Sequence, residues 1–503
     1  MPRPALAALL LVAATGSAQG TPRLTLRPGG TPFEGPTDFE PSALWWNPAA
    51  LGPLRGAHLV AHGQLLYGQG SFERTPIDPS TGLPGAGAGR AFPKVDLGGL
   101  GYGLFAGVSW DFRLETFAFG VAALAPWDAP RRLAEQRTAE GLLPAGAYHA
   151  VESSTRDLYL AFGGAVQVLP WLSLGVTIAP VDAFADLTFY RDAALDGGSA
   201  GVTQPGARCG DGGSAAACGY ENPKAAQRVK VHSDVFPRPV AIGFGVGALA
   251  RPHERLWLGV SWQHLFPLAQ RSGVSSSNVE SLGTATVCDP GQALIDCTSA
   301  PARAAVVAYQ IPDVYHLGAR LAVHDKVELA SWIRVVTYGG YGSSDPAARG
   351  LVVRLAQGHG AVTPEQLFFD RKLQPAVAAE LGLRVRPIAP LRLGASIIYE
   401  SASIPESHVT VADLDGHKLD GALALEWRIV RVLRLTLAYS LTGLLPLRPS
   451  PGAFDPSARV RCVDAAYSID ACAADLAGRA HPTAAGRYSL ITHRGTVGVA
   501  FDF

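Results

Sequence analysis

Apolar and polar residues alternate strictly along much of this chain. From Leu433 to Leu441 the odd positions Leu433, Leu435, Leu437, Tyr439 and Leu441 are large and apolar, while Arg434, Thr436, Ala438 and Ser440 are small or polar. Leu419 to Trp427 and Val377 to Val385 repeat the pattern, the latter with Glu380, Gly382 and Arg384 on the second face. Leu158 to Val168 and Leu172 to Ile178 carry it on even positions. A period of two marks half-buried strands. Fourteen such segments are predicted, near 56–71, 96–109, 116–126, 155–169, 171–190, 230–250, 255–270, 304–323, 327–340, 372–386, 391–403, 416–429, 432–445 and 486–503.

The connections between them alternate in length. Short ones fall near 111–115, 170, 251–254, 324–326, 387–390 and 430–431; long ones near 72–95, 127–154, 191–229, 271–303, 341–371, 404–415 and 447–486. Short turns on one side and long loops on the other are the pattern of an outer-membrane barrel, whose apolar faces meet lipid. A soluble sandwich would need many long irregular connections, which are uncommon. The predicted fold class is therefore all-β, a fourteen-stranded antiparallel transmembrane β-barrel. An even strand count returns both termini to one side.

Composition agrees with export to a membrane. Of 503 residues, 48% are hydrophobic and 17% charged, and the formal net charge of zero gives no electrostatic case for nucleic acid. Residues 1–18 read as a signal peptide, with Arg3, an apolar core over 5–14, and Gly16-Ser17-Ala18 before a cut at Gln19. After it, no uninterrupted apolar run reaches the roughly 18 residues of a membrane helix. The six cysteines fall as three pairs, Cys209 with Cys218, Cys288 with Cys297, and Cys462 with Cys472, each pair within one long loop. They predict three local disulfides in an oxidising compartment, each closing a loop worth roughly 2–3 kcal/mol of chain entropy. Their spacing and the lack of histidine partners do not suit zinc.

The last residues place Val497, Val499, Phe501 and Phe503 on one face. That ending resembles the signal by which barrel-assembly machinery recognises bacterial outer-membrane barrels. Trp110, Trp171, Trp257 and Trp427 lie near short turns and are expected in an interfacial aromatic girdle.

Between leader and barrel lies Ser42-Ala43-Leu44-Trp45-Trp46-Asn47-Pro48-Ala49-Ala50-Leu51. Read from its residues, it is a short helical or irregular piece ending at an Asn-Pro turn, and its Trp pair needs an apolar wall from elsewhere. The run resembles the "SALYYNPAGL" signature that ends the N-terminal plug of the FadL family of outer-membrane long-chain fatty-acid transporters. Tyr399 to Pro405, followed by Ala412-Asp413-Leu414-Asp415, is similar to that family's "FDDSPVP…IPDxD" loop. The resemblance implies a monomer with a plug over residues 19–54 and a barrel over 55–503. It implies that fatty acids or other hydrophobic compounds pass the plug and leave sideways into outer-membrane lipid, beside a kinked third strand. Trp45, Trp46, Asn47, Pro48 and Ala49 are then the expected gating residues, and Pro126, which cannot donate a ladder hydrogen bond, the candidate for the lateral gap. Two departures stand out: 19–40 lacks the family's Gly/Ala-rich start, and the 191–229 and 271–303 loops are mostly small and polar.

No enzyme motif is complete. His253-Glu254 lacks a second histidine, and Asp413 to Gly416 is too short for an EF-hand and reads as a turn. No cofactor and no metal are expected. His493 should face lipid, while Glu380, Arg384, Arg392, Glu426, Arg428, Arg434 and Arg494 have inward parity and could pair or meet the plug. Besides the hydrophobic-compound channel, a polar-solute porin and a barrel-borne lipid hydrolase stay open. The hydrolase would require a Ser–His pair on the outward face.

Overall fold

The computed structural model describes residues 27, 29–75, 92–128, 131–132, 144–192, 226–233, 240–268, 278–287, 302–356, 365–448 and 484–503. The leader and residues 19–26 lie outside the described residues. So do the cysteines, and with them the expected pairing of Cys209 with Cys218, of Cys288 with Cys297 and of Cys462 with Cys472. No disulfide is seen among the described residues.

Fourteen strands form the wall: β1 Ala57–Arg74, β2 Gly99–Trp110, β3 Phe117–Asp128, β4 Glu152–Leu169, β5 Leu172–Asp192, β6 Ala241–His253 and β7 Leu256–Pro267. They continue as β8 Asp313–His324, β9 Val327–Thr337, β10 Ala376–Ile388, β11 Leu391–Glu400, β12 Lys418–Val430, β13 Leu433–Leu444 and β14 Gly486–Asp502. Each pairs antiparallel with the next. β14 returns to β1 from His58–Asp502 to Arg74–Gly486 and closes the ring. Closure removes the unpaired strand edges that a membrane would not tolerate. The outward positions are apolar and bare, with Leu381 and Ile397 each 67% exposed and Leu423 65%. A water-soluble surface rarely carries so continuous an apolar band.

Two predicted strands are each two. The 230–250 segment comprises Ala226–Ser233 and β6, with Pro237 and Pro239 between them; 304–323 comprises Ala302–Gln310 and β8, broken at Pro312. Alternation runs on through Pro312, but a ladder hydrogen bond does not. The detached halves join Asn278–Val287, Leu351–Leu355 and Glu365–Phe369 in an outer sheet built on the far end of β5. Its Phe189, Val231, Val307, Val353 and Phe369 belong to one buried apolar cluster with the plug and with Ile404, Val409 and Leu414 of the β11–β12 connection.

Parity decides two further points. Trp110, Trp171 and Trp427 are exposed outside the wall, but Trp257 is not part of the girdle. It shares the inward parity of Gly259 and Ser261, meeting Phe39 edge-on at 6.3 Å and the Arg320 guanidinium at 4.5 Å. Arg428 is exposed at the end of β12 instead of lining the lumen. His493 has the outward parity, its Nδ1 2.7 Å from the Tyr439 hydroxyl.

Candidate functional site

The plug runs through the short-turn half of the barrel to the start of β1. Its central element is one helical turn, Ala43–Trp46, followed by a 3₁₀ turn over Pro48–Leu51. A helix this short satisfies almost none of its own carbonyls, so the wall does. Thr177 donates to the Leu44 carbonyl at 3.2 Å, Gln263 to that of Trp45, and Ser261 to that of Trp46 at 2.5 Å. Asn47 is extended and caps the 3₁₀ turn, its Oδ1 accepting from the Ala49 amide at 3.1 Å. Its Nδ2 donates to the carbonyls of Pro36 (2.9 Å) and Ala248 (3.0 Å), tying plug to wall through one amide. Trp46 is fully buried, 5.0 Å from His316 and 5.2 Å from Trp332, and donates to Glu34 at 3.4 Å; Trp45 meets Tyr159 edge-on at 5.7 Å.

The earlier part of the plug is held by charge. Asp38 takes both arms of Arg384, one at 2.7 Å, with Arg320 at 3.4 Å. Arg27 pairs with Glu380 and donates to Ser396 at 2.8 Å; Glu40 lies 3.3 Å from Arg434, which also binds Glu426 and Asp502. Burial pulls the Asp38 carboxyl upward, but Arg384, Arg320 and Arg392 outweigh it and hold the group below the usual carboxylate range. Glu34 meets His62 instead, whose Nδ1 lies 3.7 Å away. Burial dominates there and pushes its carboxyl up, against His62, the Gly29 amide and Trp46.

Glycines in the wall let the plug approach. A methyl at Gly175 would overlap the backbone of Pro48 and Ala49, and one at Gly259 the Pro36 carbonyl; Gly247 faces the Asn47 amide and Gly163 the Leu44 side chain. All four have inward parity, so only hydrogen separates wall from plug at those points.

Above Leu44 and Trp45 lies a cavity of about 30 Å³, reaching Leu124, Tyr159, Leu265 and Val314. Leu124 is also where the wall breaks. β3 pairs with β2 only over Phe119 to Leu124, so Gly99 to Leu104 of β2 have β1 on one side and no β3 partner among the described residues. On its other edge β3 slips register between Leu124 and Trp127, three residues spanning two on β4, as in a bulge. Pro126 lies within that slip. Leu104 to Gly99 stand six to eleven residues from Trp110 at the short-turn end of β2, within the roughly 9–11 residues a strand needs to cross a bilayer.

One Ser–His pair, Ser407 Oγ 2.9 Å from His408 Nδ1, is half-buried in the β11–β12 connection; a second lies in the lumen, Ser261 Oγ 3.2 Å from His316 Nδ1. It is buried beneath the plug, with the serine engaged by the Trp46 carbonyl, and does not face outward. Asp415 accepts from the amides of Ser403 and Ile404 and pairs with Lys418 at 2.6 Å, which makes the Asp413–Gly416 stretch a buried loop anchor. Tyr159, Leu124, Leu265 and Val314 were not singled out by motif. Their only mark in the sequence is inward parity joined to bulk.

The fold and site define a plugged outer-membrane-type β-barrel with a small apolar cavity beside a break in its wall. More particularly, the chain has the FadL-type barrel fold. It is similar to the solved structure of a Pseudomonas aeruginosa FadL homologue, with TM-score 0.67 and 14% identity, covering 96% of this chain and 100% of that one. The Pseudomonas putida toluene transporter TodX gives TM-score 0.59, 12% identity, and coverages of 97% and 100%; the Ralstonia pickettii toluene transporter TbuX gives 0.58, 13%, 95% and 99%. No family model and no curated protein matches the chain. A barrel of this kind implies an outer-membrane location, and no described helix is long and apolar enough to cross a membrane.

Proposed function

We propose that the protein is a monomeric outer-membrane channel of a diderm bacterium, taking up long-chain fatty acids or other hydrophobic compounds. The ligand sits in the cavity above Leu44 and Trp45. It biases the segment Trp45, Trp46, Asn47, Pro48 and Ala49, and leaves sideways between β2 and β3 near Pro126. The observation carrying this reading is that Leu124 lines the cavity and also ends the β2–β3 pairing. Solved barrels of the same fold include transporters described for toluene, which supports a hydrophobic cargo. The buried plug, tied on several sides of the lumen, disfavours a porin for polar solutes.

The test is uptake in a transporter-deficient diderm host. The intact chain should restore uptake of a labelled long-chain fatty acid or of toluene. Deleting Pro126, which removes the extra residue of the slip, should abolish that uptake while heat-modifiable gel mobility shows an assembled barrel. Free passage of small sugars with no uptake of either hydrophobic probe would replace this reading with a porin.

A further inference from the structure

We infer that the cavity selects uncharged ligands and turns away carboxylates; this rests on the channel reading above and narrows its cargo. Among the described residues lining the cavity there is no Lys, Arg, Asp or Glu. Three of its polar side chains are already engaged. The Thr177 hydroxyl donates to the Leu44 carbonyl, the Gln263 amide nitrogen to the Trp45 carbonyl, and His264 Nδ1 lies 2.7 Å from the Asp313 carboxylate. The free end of Gln263 is a carbonyl oxygen, an acceptor that repels an anion.

A carboxyl group next along β4 strengthens the selection. Asp157 follows Tyr159 on the same inward face, is 3% exposed, and takes a hydrogen bond from the Tyr309 hydroxyl of the outer sheet. It pairs across to Trp127, at the register slip. A carboxylate travelling from cavity to wall break therefore meets a second carboxyl group after leaving a described lining that offers it no Lys or Arg. Arg371, whose charge reaches Tyr309, is itself paired with Asp413 at 2.8 Å. An ion moved from water into such a site without a partner either stays out or loses its charge. Alcohols, arenes and alkanes enter as they are, while fatty acids enter as the protonated acid.

Matched probes isolate the charge: 1-octanol and octanoate share a chain length and differ in the head group. Binding of each to the full-length protein in nanodiscs is titrated through tryptophan fluorescence, Trp45 lying at the cavity. At alkaline pH octanol should bind about tenfold or more tightly than octanoate, and the gap should close as the pH falls through the acid's own titration. Gln263→Lys keeps a donor for the Trp45 carbonyl and adds a cation; Asp157→Asn removes the carboxyl group. Each should raise octanoate affinity several-fold with little change for octanol. Equal binding of the two probes by the unaltered protein overturns the inference and leaves the channel reading standing. Binding of neither overturns both.

Discussion

The plug touches two walls of different chemistry. Towards β8, β10, β11 and β13 its residues 27–40 meet Arg320, Arg384, Glu380, Ser396 and Arg434, and the plug's arginine–carboxylate pairs with the wall are concentrated there. Towards β3 to β7 its residues 41–51 meet glycines, hydroxyls and apolar side chains. Buried charges are costly to leave unpaired, so the first wall fixes where the plug sits. The second wall holds it more weakly, through close approach and single hydrogen bonds, and there the cavity and the break in β3 are found. Anchoring and passage are thus divided between opposite sides of one lumen, and an alteration on one side should leave a different signature from an alteration on the other.

The largest effect is expected on the ionic side. Asp38→Ala strands Arg384 without its carboxylate and should destabilise plug docking by about 3–5 kcal/mol, read as loss of hydrogen-exchange protection over residues 29–51 while the barrel strands stay protected. Protection left intact would mean that the ion pair does not anchor the plug. Gly175→Val tests the other wall. It forces Pro48 and Ala49 away from β5 at a cost of roughly 1–3 kcal/mol, and hydrophobic uptake should change more than exchange at residues 27–40. Equal changes in both would erase the distinction between the walls.

Asn47→Ala is a smaller step, because it removes bonds without adding bulk. With the Pro36 and Ala248 carbonyls left bare, the loss should be about 1–3 kcal/mol, confined to exchange around 43–51, with barrel assembly unchanged and uptake of a long-chain fatty acid altered. Uptake equally unaffected by Asn47→Ala and by deletion of residues 19–46 would remove the plug from gating. The smallest effect is a pH dependence at Glu34. Its carboxyl is raised by burial, so docking is favoured when it is protonated. That contribution is full below the ordinary glutamate value and fades as pH rises through the raised one. Exchange of residues 29–51 should therefore quicken as the pH rises above the ordinary glutamate value, and Glu34→Gln should flatten that response. Asp38 has the opposite sign: its contribution holds above the ordinary aspartate value and fails only in more acidic solution.

The wall was legible from sequence because period two is a strong signal and because turns and loops alternate in length. It failed where chemistry interrupts geometry without interrupting the pattern. Pro312 breaks a strand whose alternation continues on both sides, and Trp257 looks like a girdle residue until its inward parity is counted from Gly259. The plug signature at Asn47-Pro48 was visible as a turn, yet its partners were not. Gly175 and Gly259 read as ordinary strand glycines until a second backbone is known to press on them. Arg384 showed inward parity but gave no sign that its partner would be Asp38, hundreds of residues away. The cavity was the least legible part, since Leu124, Tyr159, Leu265 and Val314 are common residues brought together only by closure.

The seam between β1 and β14 carries a kinetic meaning. Its rungs join Ala57 and its neighbours to the last residues of the chain, the most distant pairing the sequence offers, and such contacts form late. The plug precedes β1 directly and ends up inside the ring. It must therefore be in place when the ring shuts, or be threaded in afterwards against a shelf with room only for hydrogen. Assembly has an order built into its topology: the lodger enters before the door is hung.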